Sequence, residues 1–299
     1  MSEIFFNTHE VAQMLQVDKS TVKRWTDEGK ILCFRTPGGH RKFRSDDVYN
    51  FMSTFHYGVS STQVVPQMTT DDAIVKRIVE ENEFNVLVSV CFNAAIKGKK
   101  NEALSLFVEI HRAGLEIHSI FDNVLRPALK KINDTFSLNK ISAIEYQIAN
   151  TVLEFAVIQL GDNVRRKNKN NRTILLASKD QDTFGVELKA LATLFEYEGY
   201  EVLNAGMGVD AESVNQLVYR TKPFAVCLSA ATIGNEELFQ QEFEKILHAT
   251  KDNMSYLIAG GKAFESSLVR ENFIGINACA SFKDFSSVMY QQTEKTVKI

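Results

Sequence analysis

The sequence predicts a multidomain chain, helical in its first half and α/β in its second. Three observations carry this. Residues 1–55 are short, basic in the middle and divided by two sharp turns. From Asp71 to about Gly161 apolar residues recur at spacings of three and four, the period of helices that bury one face. After a polar run, "DNVRRKNKNNR" (162–172), short apolar runs alternate with helical stretches, the pattern of a parallel sheet covered on both faces.

Whole-chain quantities set the bounds. A length of 299 residues suggests two or three domains, and 44% hydrophobic residues suffice for sizeable cores. A net charge of -3 means that any surface for nucleic acid must be local. Cys33, Cys91, Cys227 and Cys279 lie far apart with no C-x-x-C, which fits reduced thiols better than a disulfide frame. No apolar run is long enough to span a bilayer, and "MSEIFFNTHE" lacks a basic-then-apolar signal pattern. The expectation is a cytoplasmic protein with no membrane partner.

The first segment reads as helix, tight turn, helix, wing. In "NTHEVAQMLQVDKSTVKRWTDEGKI", Thr8 is the expected N-cap of the first helix. Val11, Ala12, Leu15 and Val17 form its buried side. "VDKS" turns the chain, and Ser20 is the expected cap of the second helix. Val22 and Trp25 face inward, which leaves Lys19, Thr21, Lys23 and Arg24 near the exposed start of that helix. In a helix-turn-helix this end enters the major groove. In "LCFRTPGGHRKFRSDDVYNFM", Pro37-Gly38-Gly39 makes a sharp turn between two extended pieces, and Ser45 opens another helix. Arg35, His40, Arg41, Lys42 and Arg44 cluster on this wing. Gly38 and Gly39 let backbone amides approach phosphates. Between Lys19 and Arg44 eight Lys or Arg face two acidic residues, Asp27 and Glu28, a local cation field of the kind phosphates require. With its turn, Trp25 and the wing "RTPGGHRKF", this segment resembles the winged helix-turn-helix of MerR-type regulators over about fifty residues.

"HYGVSSTQVVPQMTT" (56–70) reads as a linker. Residues 71–165 then form an antiparallel helical bundle, with Gly98, Gly114 and Gly161 where helix C-termini fall. His111 and His118 read as ordinary, partly exposed histidines. Residues 92–155, with Pro127-Ala128-Leu129 and Ile132, resemble the bundle that precedes corrinoid-binding domains. In light-responsive regulators of that family the bundle covers adenosylcobalamin with Trp, nine residues, Glu, His. Aligned on "NKISAIEYQIAN", these positions hold Phe136, Tyr146 and Gln147. The amide of Gln147 is a poor cobalt ligand where imidazole is a good one.

Residues 172–299 carry five apolar runs: "TILLASKD", "YEVLNAG", "PFAVCLSAA", "SYLIAGG" and "GINACAS". Five such strands alternating with helices predict a doubly wound, flavodoxin-like domain whose ligands sit beyond the carboxyl ends of the strands. The segment is similar to cobalamin-binding modules, whose fingerprint is an acid, any residue, His, two residues, Gly, then later a Ser and Gly-Gly. Asp180, Gly185, Ser229, Gly260 and Gly261 match. The resemblance places a buried dimethylbenzimidazole tail by Ser229 and the glycine pair, and glycines at strand ends do let a backbone approach a flat ring. The His position is Asp182, a poor replacement for imidazole on cobalt. "GMGVDA" (206–211) fits G-x-G-x-x-A but follows the second strand, with no acid from Ser213 to Gly234, so it does not predict a dinucleotide site.

No catalytic constellation is evident. The expected function is a DNA-binding transcription regulator, a repressor, of the light- and cobalamin-responsive MerR-like class. It is expected to bind operator DNA as a homo-oligomer, dimer or tetramer, with two half-sites about one helical turn apart. Its C-terminal module is expected to control oligomerisation or the binding of an antagonist protein without His-ligated cobalamin, through a protein partner or a different ligand, and with no metal. The alternatives are a regulator that senses through cobalamin or another tetrapyrrole, and a corrinoid methyl carrier.

Overall fold

The computed structural model describes residues 5–15, 17–54, 72–179, 185–231, 236–265 and 277–297. They belong to two compact units, Met1–Leu160 and Gly161–Ile299. The expected linker, 56–70, lies outside the described residues.

The first unit opens with strand β1 (Phe5–Asn7), helix α1 (Thr8–Leu15) and helix α2 (Lys19–Asp27). Strands β2 (Phe34–Arg35) and β3 (Arg41–Arg44) form the wing, and helix α3 (Ser45–Thr54) follows. The three strands pair antiparallel in the order β1-β3-β2. Both expected caps shift. Asn7, one residue before Thr8, caps α1: its Oδ1 accepts the backbone amides of His9 and Glu10 at 2.8 and 3.0 Å. Glu10 returns the bond to the Asn7 amide at 2.7 Å, which completes a capping box that "NTHE" spells in sequence. Helix α2 starts at Lys19, with Asp18 and not Ser20 at the cap position. Val11, Ala12, Leu15, Val22 and Trp25 are buried as the pattern requires, while Met14 is buried and Val17 is only half-buried. Trp25 packs on Phe51 of α3 with ring centroids 5.1 Å apart.

Among the described residues six further helices follow: α4 (Asp72–Glu80), α5 (Phe84–Ile96), α6 (Lys100–Arg112), α7 (Ile117–Ile120), α8 (Arg126–Ser137) and α9 (Ala143–Asn163). Gly98 and Gly114 follow α5 and α6 with φ of +71° and +101°, a conformation in which a side chain is strained. Gly161, expected at a helix end, lies inside α9. Pro127 has no amide to give the preceding turn, and the chain passes from α7 to α8 through a π-helical turn, Phe121–Leu125. Ser142 and Glu145 form a second capping box at the start of α9: the Glu145 amide donates to Ser142 Oγ at 3.2 Å, and the Ser142 amide donates to Glu145 Oε2 at 2.7 Å. These bonds hold the Glu145 carboxyl below its ordinary value. The bundle touches the head directly. Arg77 of α4 pairs with Glu10 Oε1 at 3.0 Å, and its guanidinium lies 5.0 Å from the centroid of the buried Phe6 ring. One carboxylate thus caps α1 and holds α4 against it.

The second unit alternates strands β4 (Thr173–Ser178), β5 (Glu201–Asn204), β6 (Ala225–Ser229), β7 (Tyr256–Gly260) and β8 (Asn277–Cys279) with helices α10 (Val186–Tyr197), α11 (Ala211–Thr221), α12 (Glu236–Asp252) and α13 (Phe282–Val297). The sheet is parallel throughout, in the order β5-β4-β6-β7-β8, as a flavodoxin-like domain demands. Side chains alternate between faces. Leu175, Ala177, Val226, Leu228, Leu257 and Ala259 pack on α11 and α12. The residues between them face the opposite way, the side on which Phe195 of α10 and Phe285 of α13 meet edge to face at 6.4 Å.

Candidate functional site

Most of the predicted residues of the head are exposed. Lys19, Lys23 and Arg24 are exposed along the first two turns of α2, and Thr21 is half-buried beside Val22. The wing is a tight hairpin: the Thr36 amide donates to His40 O at 2.9 Å, and the Gly39 amide donates to Thr36 O at 2.8 Å. Gly39 takes φ +79° to close it. Arg35, Gly38, Gly39, His40 and Arg44 are exposed, and Lys42 is half-buried. Arg41 differs from the rest. Its side chain is only 14% exposed, and Nη2 donates to Asp27 Oδ1 at 2.6 Å. Acidic neighbours also reach Arg24 and Lys30, through Glu28 at 3.9 and 2.7 Å.

The three bundle positions lie near one another. Phe136 and Tyr146 stack, with centroids 4.4 Å apart and planes 17° from parallel. The Tyr146 hydroxyl donates to Asn133 Oδ1 at 2.9 Å, so its polar end is already engaged. Gln147 is exposed on α9 between Ile144 and Ile148, which are 70% and 40% exposed although apolar. Leu138, two residues after Phe136, is 64% exposed. Uncovered aliphatic side chains thus flank the stacked pair along the chain.

At the strand tips, register sets a row across four strands: Ser178, Ser229, Gly260 and Cys279 are successive partners and share one face. All four are small, so the row forms a shallow floor under α10 and α13. Gly260 does admit a flat ring, and that ring belongs to the chain. A Cβ placed on Gly260 would lie 2.5 Å from Phe285 Cζ. Gly261 answers to backbone and not to a ligand: with φ +98°, its Cβ would meet the Ala230 carbonyl oxygen at 2.3 Å. The Ala230 carbonyl is fixed there by accepting from the Ala263 amide at 3.1 Å. Gly261→Ala should therefore cost more than ~2 kcal/mol in urea unfolding, since neither the dihedral nor the carbonyl can yield. A change under ~0.5 kcal/mol would contradict this reading of the turn.

Of the remaining predicted positions, Gly185 is the one among the described residues. Gly185 stands at the N-cap of α10, 3.3 Å from Met207 Sδ if it carried a Cβ. The Lys179 amide donates to Ser229 O at 3.0 Å, bridging the tips of β4 and β6. Its amine pairs with Glu242, and burial holds it below its ordinary value while the charge of Asp210 pulls it up. Asp180 and Asp182 lie outside the described residues. Burial pushes the Cys279 thiol up to about 12 and Cys227 well above its usual value, so neither supplies a thiolate. Among the described residues no cluster of three or more His, Cys, Asp or Glu could hold a metal ion. The one histidine after residue 161, His248, is exposed on α12, a helix packed on the other face of the sheet. The resemblance implied a corrinoid tail over the glycine pair. With Phe285 over Gly260 and no imidazole at the tips, the described residues do not fit a buried tail with a histidine-ligated cobalt.

The "GMGVDA" segment is likewise explained locally. Gly206 and Gly208 take φ of +84° and +67° in a loop after β5, and Asp210 caps α11 through the Ser213 amide at 2.8 Å. Sequence reasoning missed Asp27, whose partners need the folded wing, and Phe285, which meets Gly260 only through the sheet.

The helix-turn-helix domain family matches residues 5–54. The chain is 28% identical over 127 residues to the transcriptional repressor DcmR of Methylorubrum extorquens; the match spans 42% of this chain and 47% of that protein. The chain thus spans about half the length of the curated relative it matches. The monomethylamine corrinoid protein of Methanosarcina barkeri is similar in fold, with a TM-score of 0.51 and 16% identity over 67% of this chain and 95% of that one. A cobalamin-binding protein from Desulfitobacterium hafniense also aligns, at a TM-score of 0.36 and 16% identity, over 74% of this chain and 98% of that one. The chain carries a helix-turn-helix DNA-binding domain followed by the fold of a corrinoid protein. Among the described residues no helix is long and apolar enough to cross a membrane.

Proposed function

We propose that this chain is a DNA-binding transcription regulator, a repressor, whose corrinoid-type module controls oligomerisation or partner binding without His-ligated cobalamin. The observation that carries it is the set of exposed cations on α2 and on the wing of a helix-turn-helix head. In this reading residues 1–55 read DNA, 56–70 connect, 71–165 form a cap-like bundle and 172–299 the sheet module. Lys19, Thr21, Lys23 and Arg24 approach the major groove, and the wing follows the adjoining backbone. One small head touches too few bases for high specificity, so binding uses a pair of chains. The uncovered Ile144, Ile148 and Leu138 support a role for the bundle in assembly or in docking an antagonist protein. The ion pair of Arg77 with Glu10 supports coupling between bundle and head.

Selection from a random duplex library tests the proposal. The expected product is a family of sites with two half-sites about one helical turn apart, bound by more than one chain in light scattering. The logarithm of their affinity falls linearly with the logarithm of salt concentration. No enrichment, together with no salt-dependent binding, would overturn it.

A further inference from the structure

Arg35 and Arg41 are direct cross-strand partners in the wing. Two like charges in that position repel, and such pairs destabilise a hairpin. Among the described residues Asp27 supplies a compensating carboxylate. Asp27, the last residue of α2, accepts from Arg41 Nη2 at 2.6 Å and lies 3.8 Å from Arg35 Nη2. The three residues come from α2, β2 and β3. Their meeting therefore joins the two elements that approach DNA. The charged end of Arg41 is turned toward the helix, whereas Lys19, Lys23 and Arg24 are exposed.

We propose that Asp27 is a positioning residue for DNA binding: its carboxylate pins the wing to the end of α2, and Arg41 acts through Asp27 and not on a phosphate. This rests on the head reading DNA. It runs against simple electrostatics, by which removing an acidic residue from a DNA-facing surface strengthens binding. A pinned wing enters the complex already ordered; a released wing must be ordered on binding, and affinity falls.

The test measures binding of a selected duplex against salt for the full-length wild type, Asp27→Asn, Arg41→Ala and the double variant. Amide exchange at Thr36, Gly39 and His40 is followed in the same proteins without DNA. Each single variant should bind about tenfold more weakly, and the double variant no worse than either, because both remove one interaction. The salt slope should stay within ~0.3 of wild type, whereas an arginine bound directly to phosphate would take ~0.9 with it when removed. Wing amides should exchange faster in both single variants. Asp27→Asn binding as tightly as wild type, additive losses, or a slope reduced by ~0.9 in Arg41→Ala alone would overturn the proposal. Unchanged wing exchange in Asp27→Asn overturns it whether or not DNA is bound. A wild type that binds no DNA would instead remove the regulator reading, with the exchange data still deciding whether Asp27 holds the wing.

Discussion

Protein mixed with adenosylcobalamin in the dark should leave a gel-filtration column without the cofactor and without the spectrum of imidazole-ligated cobalt. Two independent features lead there. The family resemblance puts Asp182 at the position of the lower imidazole, and a carboxylate binds cobalt poorly by comparison. The space over Gly260 is taken by the Phe285 ring, itself held edge-on by Phe195. Asp182→His alone should therefore retain no cofactor. Phe285→Ala opens the niche but removes a buried ring, which should cost ~3–5 kcal/mol in urea unfolding. Only the variant carrying both changes should co-elute with cobalamin and show the ligated spectrum. Even that variant should not change its oligomeric state on illumination. Phe136 is stacked on Tyr146, Tyr146 is bonded to Asn133, and Gln147 offers cobalt no imidazole. Tight retention by the wild type with a ligated spectrum, or by Asp182→His alone, would end this account of the niche.

Replacing Lys19, Lys23 and Arg24 together by Ala should lower the salt slope of operator binding by about 2.7, at ~0.9 for each phosphate no longer neutralised. Near 0.15 M monovalent salt that corresponds to a fall of roughly two orders of magnitude in affinity. The fold should survive, because all three side chains are exposed and the helix is held by Val22 and Trp25 on its other side. Far-ultraviolet circular dichroism and the urea midpoint should match wild type, which separates a weakened DNA surface from an unfolded head. Arg112→Ala, an exposed cation on α6, should change neither slope nor affinity. A triple variant that keeps the wild-type slope would move the DNA surface away from α2.

These outcomes depend on two kinds of information in the chain. Local chemistry was legible. "PGGH" made a wing because Gly39 closes the hairpin at positive φ, and the five apolar runs became five parallel strands, of which β4, β6 and β7 bury both faces while β5 and β8 lie at the edges. Helix starts were legible only to within two residues, as Asp18 in place of Ser20 at α2 shows. At α1 two neighbours compete: Thr8 can cap, yet Asn7 also gains the return bond from Glu10. Gly161 misled for a related reason. A glycine after an apolar run usually ends a helix, but here α9 continues through it to Asn163.

The order of segments, the basic head and the missing imidazole were determined by the sequence alone, because each depends on residue type and short-range spacing. Tertiary structure alone decided that Arg41 faces Asp27 and that Phe285 lies over Gly260. Those partners are 14 and 25 positions apart in the chain, and no periodic pattern encodes them. Only when the wing closes on α2, and α13 settles on the sheet, do these side chains compete for the space that a phosphate or a flat ring would use.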